Sequence, residues 1–169
     1  MMVGKRRKSL RLPHYNYAMA GAYFVTICVQ DRICLLGDVA AGAMVLSPAG
    51  QLVQETWQDL PRHYPHIALD EFVVMPNHVH GLLIVESGGG PPLTETVRAF
   101  KSFSAREINK TRPEREKFAW QRGFHEHVVR DGKDLTAIRE YIQNNPLKWE
   151  LDEENLARQR APARPQGGS

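Results

Sequence analysis

Residues 67–85 read IALDEFVVMPNHVHGLLIV, and this stretch decides the fold. Ile67 to Met75 is rich in β-branched and apolar residues, which reads as a strand. Met75-Pro76-Asn77 supplies a tight connection, because Pro fixes φ and Asn tolerates turn geometry. His78 to Val85 is a second such run, so the two strands form a hairpin.

Toward the N-terminus, Tyr23 to Val29 (YFVTICV) is another β-branched and aromatic strand. Between it and the hairpin, Ser47-Pro48 is a helix start, with a Ser cap and Pro at the first helical position. Leu52, Val53, Thr56, Trp57 and Leu60 then recur at helical spacing. His63 to His66 is a break containing Pro65. Toward the C-terminus, the loop SGGGPP (87–92) leads to a helix capped by Thr94 and running to about Asn109. Its inner side carries Val97, Phe100, Phe103 or Ser104, and Ile108, while Arg98 and Lys101 share an outer stripe. Residues 111–119 are a charged linker, and Trp120 to Arg130 is a strand. Asp131 caps a last helix with Leu135, Ile138 and Ile142 facing inward. Asn145-Pro146 ends it, since Pro disfavours helical geometry in the residue before it.

The order β-α-β-β-α-β plus a C-terminal helix is an α+β, ferredoxin-like split βαβ arrangement with an antiparallel sheet. Its first and third strands belong in the middle of the sheet. The expected organisation is a basic arm over residues 1–20, one domain over 21–150, and a polar Pro/Ala/Gly-rich tail over 151–169.

With 42% hydrophobic and 24% charged residues in 169, the chain has the composition of one soluble globular domain with tails. Apolar runs such as Gly81 to Val85 are far too short to span a bilayer. The start, MMVGKRRKSLRLP, is basic without an apolar stretch, so it is no secretory signal, and a cytoplasmic location is the default. Cys28 and Cys34 form no CxxC pair, which excludes a cysteine zinc site or a disulfide framework. Charge is distributed in blocks. Lys5, Arg6, Arg7, Lys8 and Arg11 precede any acid; residues 13–93 are acidic overall; residues 98–122 are basic again; three arginines follow from Arg158. Such blocks suit a phosphate backbone, or simply a solvated surface.

His78 and His80 are two apart on a strand, so both imidazoles point to one face, with Val79 on the other. That is half of a divalent-metal site, although a bare HxH also recurs by chance. Tyr141 lies near the end of the last helix, and Asn145 follows one turn later on the same face. A Tyr and a neutral amide there could reach a metal-bound substrate; equally, Tyr141 could pack at the core edge and Asn145 end the helix. His125 and His127 also share a face, as a structural pair, DNA contacts or a second metal pair. His14, His63 and His66 read as surface residues.

VVMPNHVHGLLIV, then WQRGFHEHVVR, then IREYIQNNP, in that order, resemble the Tyr-dependent transposases of the IS200-like group, and most of all the REP-associated branch. YNYAMAGAYFVTICVQDRICLLGDV is similar to that branch too, and the resemblance covers roughly residues 5–150. It implies an HUH single-strand nuclease with a bulky apolar residue, here Val79, between two metal-binding histidines, His78 and His80. It implies Tyr141 as nucleophile and Asn145 as an amide third ligand, where some members carry Gln. It also implies a single-stranded DNA substrate, often an imperfect hairpin, and a Mg²⁺ or Mn²⁺ cofactor. Imidazole suits Mn²⁺ better than Mg²⁺, so Mn²⁺ should serve at least as readily.

Backbone contacts are then expected from Arg98, Lys101 and Arg106 on the basic helix and from Arg6, Arg7, Lys8 and Arg11 on the arm, with His127 added from the last strand. Trp120 and Phe124 could stack on unpaired bases, though strand aromatics are more often core. The competing readings are a catalytically silent nucleic-acid-binding module on the same fold, and a hydrolase using metal-bound water without need of Tyr141. Monomer and homodimer both remain compatible with the sequence, and no membrane partner is expected.

Overall fold

The computed structural model describes residues 21–86 and 90–151. The basic arm with Arg6, Arg7, Lys8, Arg11 and His14, and the tail from Asp152, lie outside the described residues. The element order is β1 (Gly21–Cys28), β2 (Gly37–Ala40), β3 (Ala43–Leu46), α1 (Pro48–Gln58), α2 (Leu60–His63), β4 (Ile67–Met75), β5 (His78–Val85), α3 (Leu93–Asn109), β6 (His125–Val128) and α4 (Gly132–Gln143), with a 3-10 segment at Pro146–Leu151.

Four strands form one antiparallel sheet in the order β4-β5-β1-β6, so β5 and β1 are central, as expected for the split βαβ arrangement. Strand alternation then divides the side chains between two faces. Val25, Ile27, Val79 and Leu83 join the larger core, which α1 and α3 cover through Val53, Trp57, Val97 and Phe100. Phe24 and Leu82 form a smaller cluster with Ile138 and Ile142 of α4. His78 and His80 have the parity of Leu82, so they stand on the face that α4 covers. Among the described residues no helix is long and apolar enough to cross a membrane.

Local signals explain the elements that position the site. The Ser47 hydroxyl accepts from the Gly50 amide, with Pro48 in the first turn of α1. The Asp131 carboxylate accepts from the Asp134 amide and starts α4. Pro76 and Asn77 alone connect β4 to β5, which keeps the hairpin register rigid where His78 begins. Cys28 is buried and Cys34 exposed, as a buried thiol and a loop thiol.

Three expectations are corrected, and one element went unread. The hairpin β2–β3 was not legible: its two-residue turn puts Ala41 and Gly42 at φ 51° and 74°, without the Asn-Gly signature such turns usually carry. The last strand is only His125–Val128, because Gly123 at φ 80° turns the chain, leaving Trp120 in an isolated bridge with Val29. The α3 helix starts at Leu93 after Pro92, with no side-chain cap, so Thr94 is not its cap. Of the two residues left open on its inner side, Ser104 is buried, whereas Phe103 is 47% exposed. His63 is exposed, but His66 is half-buried and its Nε2 lies 3.1 Å from the Pro91 carbonyl.

Candidate metal and nucleophile site

His78 and His80 are buried on central strand β5, and their Nε2 atoms lie 3.0 Å apart. Two nitrogens each about 2.1 Å from one ion, at right angles, would be separated by about 3.0 Å. A neighbour orients each ring. Asn77 donates through Nδ2 to the Arg32 carbonyl at 3.1 Å, so its Oδ1 accepts from His78 Nδ1 at 2.8 Å. The proton therefore sits on Nδ1 of His78, and Nε2 is the lone-pair nitrogen. Thr26, opposite His80 on β1, places Oγ1 2.8 Å from His80 Nδ1. The hydroxyl can accept from that nitrogen, which makes Nε2 of His80 an acceptor too. With Thr26 accepting, two lone pairs face each other and suit a shared cation; with Thr26 donating, His80 Nε2–H donates to His78 Nε2.

Tyr141 comes from above, on α4. Its ring centroid lies 5.3 Å from that of His80, and Phe24 touches both, stacked on His80 at 5.5 Å and edge-on to Tyr141 at 6.0 Å. One chain thus supplies both the histidines and the tyrosine on one side of the sheet. Asn145 is buried just past the end of α4, and its Nδ2 donates to the Tyr141 carbonyl at 3.1 Å. Its Oδ1 is buried with no hydrogen-bond partner, an arrangement that costs about 1–3 kcal/mol unless something binds there. Among the described residues no three His, Cys, Asp or Glu side chains could hold one ion, so any third protein ligand beside the His pair would be of another type. An amide oxygen with an unmet lone pair fits that role.

Residues that sequence reasoning did not single out hold these groups in place. Asn77, Thr26 and Phe24 orient the imidazoles, and the Trp149 ring lies 6.0 Å from His78. For Thr26 and Phe24 the signal is pairing across strands, visible only once the β1–β5 register is known. Replacing Asn77 with Ala should lower metal affinity by about 10–100-fold, since the His78 ring loses its anchor. Titration calorimetry with Mn²⁺ checks this, and unchanged affinity would remove Asn77 from the site.

The tyrosine helix is tied down at both ends. Arg139 makes a two-pronged pair with Asp70, Nε to Oδ1 at 2.9 Å and Nη2 to Oδ2 at 2.7 Å, and Gln143 donates to Glu71 at 2.8 Å. Asp70 and Glu71 lie where the β4–β5 register shifts, a bulge between Leu69 and Phe72. The Arg139 hydrogen bonds hold the Asp70 carboxyl below its usual range. At the other end, Asp134 takes a 2.8 Å contact from His127 Nε2 and a 3.0 Å bond from the Arg130 amide. Burial opposes ionisation of Asp134, but these bonds outweigh it, and its carboxyl is also lowered. A carboxyl lowered in the folded state stabilises above its unfolded value of about 3.9 and loses that contribution as pH falls through the folded value. The docking of α4 should therefore be insensitive to pH near neutrality and loosen only in acid, below about pH 4. Near-ultraviolet dichroism of Tyr141 and Trp149 against pH checks it; a transition at pH 6–7 without one in acid would contradict it.

Of the expected DNA-binding residues that are described, Arg98 and Lys101 line one groove, whereas Arg106 and His127 lie elsewhere. Arg98 is exposed on α3, while the Lys101 ammonium donates to the carbonyls of Gln121 and Gly123, at 2.8 Å each. Arg106 stacks over Phe103 at 5.7 Å and faces a separate groove toward Asp59 and His63. His127 lies on the α4 face of β6, bound to Asp134. Trp120 is core, its indole donating to Ser104, whereas Phe124 is half-buried at a groove.

Residues 50–145 match the family described as Transposase IS200 like, a span that includes the His pair, Tyr141 and Asn145. An uncharacterized protein of Haemophilus influenzae is 39% identical over 165 residues, covering 87% of this chain and 92% of its own. A second protein of that organism, provisionally named a REP-associated tyrosine transposase, is 28% identical, covering 79% and 74%. Among solved structures, a REP-associated tyrosine transposase bound to a REP hairpin superposes with a TM-score of 0.62 at 20% identity, over 90% of this chain and 88% of that one. A Deinococcus radiodurans protein described provisionally as a transposase gives 0.52 at 18%, over 80% and 96%. At such identities these two structures speak for the fold.

Proposed function

Because the chain belongs to the IS200-like transposase family, we propose that it cleaves and rejoins single-stranded, hairpin-containing DNA through a 5′-phosphotyrosine at Tyr141. The observation that carries this reading is the meeting of His78 Nε2 and His80 Nε2 at 3.0 Å beneath the Tyr141 ring, all within one chain. The residues fit a divalent cation, Mg²⁺ or Mn²⁺, with His78, His80 and Asn145 as its protein ligands. Bound there, such an ion would withdraw charge from the scissile phosphate and align it for attack.

The chain's own groups do the rest. Asn77 and Thr26 keep the imidazole lone pairs turned to the ion site. The Arg139–Asp70 pair holds α4 so that Tyr141 stays over His80. Attack by the Tyr141 oxygen forms the O–P bond as the P–O3′ bond breaks, and a proton passes to the departing 3′ oxygen. One phosphodiester replaces another, so the reverse attack by a 3′-hydroxyl needs no nucleotide triphosphate. REP hairpins are the ligand in the similar solved structure, and a hairpin beside the cleavage point is the substrate form we infer for this chain.

The test is a covalent-adduct assay. End-labelled single-stranded oligonucleotides spanning the flanks of the gene are mixed with the full chain in Mg²⁺, Mn²⁺ or chelator, then run on a denaturing gel. A protein-linked band with metal, and none with chelator, is expected, with Mn²⁺ at least as effective as Mg²⁺. Salt-sensitive binding without any adduct would replace this reading with the silent binding module.

A further inference from the structure

On the far side of the sheet from the His pair, a groove of about 490 Å³ runs between α3 and the segment 118–124. Its floor is aromatic: Phe118 and Trp120 are buried, and half-buried Phe124 lines one wall. Arg98 and Arg122 stand exposed at its edges, and neither pairs with another described residue. No acidic side chain lines it.

The groove is built rather than incidental. Lys101 donates to two carbonyls of the loop, at Gln121 and Gly123, which pins the loop to α3. Gly123 takes φ 80°, a conformation a side chain would strain. Trp120 donates its indole N–H to Ser104, so the floor has no unmet polar group there. An aromatic wall flanked by guanidinium groups suits a base face and its neighbouring phosphates. Only an unpaired base exposes its face, so duplex DNA is a poor occupant.

We propose that this groove is a second DNA subsite, taking unpaired nucleotides a few positions away from the cleavage point. The subsite rests on the single-strand reading above. The path is short, because the loop runs directly into edge strand β6, whose His125 and His127 already face the α4 side. A strand leaving the His pair on β5 therefore has β1 and then the edge strand β6 to cross before meeting Phe124 and Arg122. This position on the opposite face also separates recognition from chemistry: contacts in the groove hold the DNA without touching the reacting phosphate.

The experiment measures binding of the full chain, in chelator, to fluorescent 30-nucleotide single strands tiling the flanks of the gene, on the order of a binding site plus margins. Arg98→Ala and Arg122→Ala should each weaken binding and reduce the salt slope by about 0.7, the value for one lost phosphate contact on single strands. Phe124→Leu, which keeps an apolar side chain against the core, should weaken binding about fivefold or more. Abasic substitution at one or two positions should cost the wild type as much and Phe124→Leu nothing. Arg62→Ala, an exposed arginine on α2, is the control and should bind as wild type. Wild-type binding that is indifferent to Arg98, Arg122 and Phe124 would sink the groove alone. Equal losses in the control would sink it as well. A wild-type chain that binds none of the single strands, or prefers acidic peptides, would overturn both the groove and the single-strand reading.

Discussion

Tyr141→Phe should abolish the protein–DNA adduct, a fall of about three orders of magnitude or more, while leaving binding and folding intact. The substitution removes one oxygen. The ring keeps its edge contact with Phe24 and its place 5.3 Å from His80, so the cluster beneath α4 loses no volume. Stability should change by no more than about 1 kcal/mol. His78→Ala or His80→Ala should also abolish the adduct, but with lost metal affinity and a buried hole. The contrast is informative: Tyr141→Phe that still titrates Mn²⁺ normally and forms no adduct identifies the nucleophile. Adduct formation at the wild-type rate in Tyr141→Phe would assign the chemistry to another group.

Gly81→Ala should cost a large share of stability for a single methyl. Gly81 follows His80 on β5 but faces the opposite side, toward α1. A Cβ there would lie 2.2 Å from Trp57 Cζ2 and 2.5 Å from Cη2. Trp57 cannot step aside: it is buried, stacked on Phe72 at 4.6 Å and edge-on to Phe100 at 5.2 Å. Overpacking of this kind costs about 1–3 kcal/mol, and the rigid ring argues for the upper end. Because β5 is central, the strain also reaches the His80 backbone, so Mn²⁺ affinity should fall with stability. Gly132→Ala is the counterpart at the first turn of α4, where an added Cβ meets nothing within 4 Å. That change should be neutral or stabilising by about 0.5–1 kcal/mol. Urea midpoints at constant slope measure both, and a Gly81→Ala midpoint equal to wild type would refute the packing argument.

What was legible in the sequence follows from which forces are local. The hairpin of β4 and β5, the Ser47 and Asp131 caps and the inward stripe of α4 rest on contacts within a few residues. Their patterns are therefore written in short stretches such as MPNHVH and SPAG. The parity of His78 and His80 is of the same kind, since strand alternation alone puts both rings on one face. The turn at Ala41-Gly42 was illegible because Ala carries no preference for positive φ; Leu147, whose side chain would meet a Cβ on Gly42, stands far along the chain.

Other features were decided only by the tertiary structure. Lys101 reads as one more cation on a basic helix, yet the loop at Gln121 and Gly123 claims its charge. Asp70 and Glu71 sit unremarked within the strand Ile67 to Met75, yet a bulge turns them onto α4. Thr26 and Phe24 read as ordinary strand residues until the register sets them beside His80. Periodicity, caps and turns come from the chain's own backbone geometry, so the sequence by itself determined the elements and which residues share a face. Which face meets which, and so the setting of Tyr141 over the His pair, depends on packing between segments some sixty residues apart, and that only the folded structure decides.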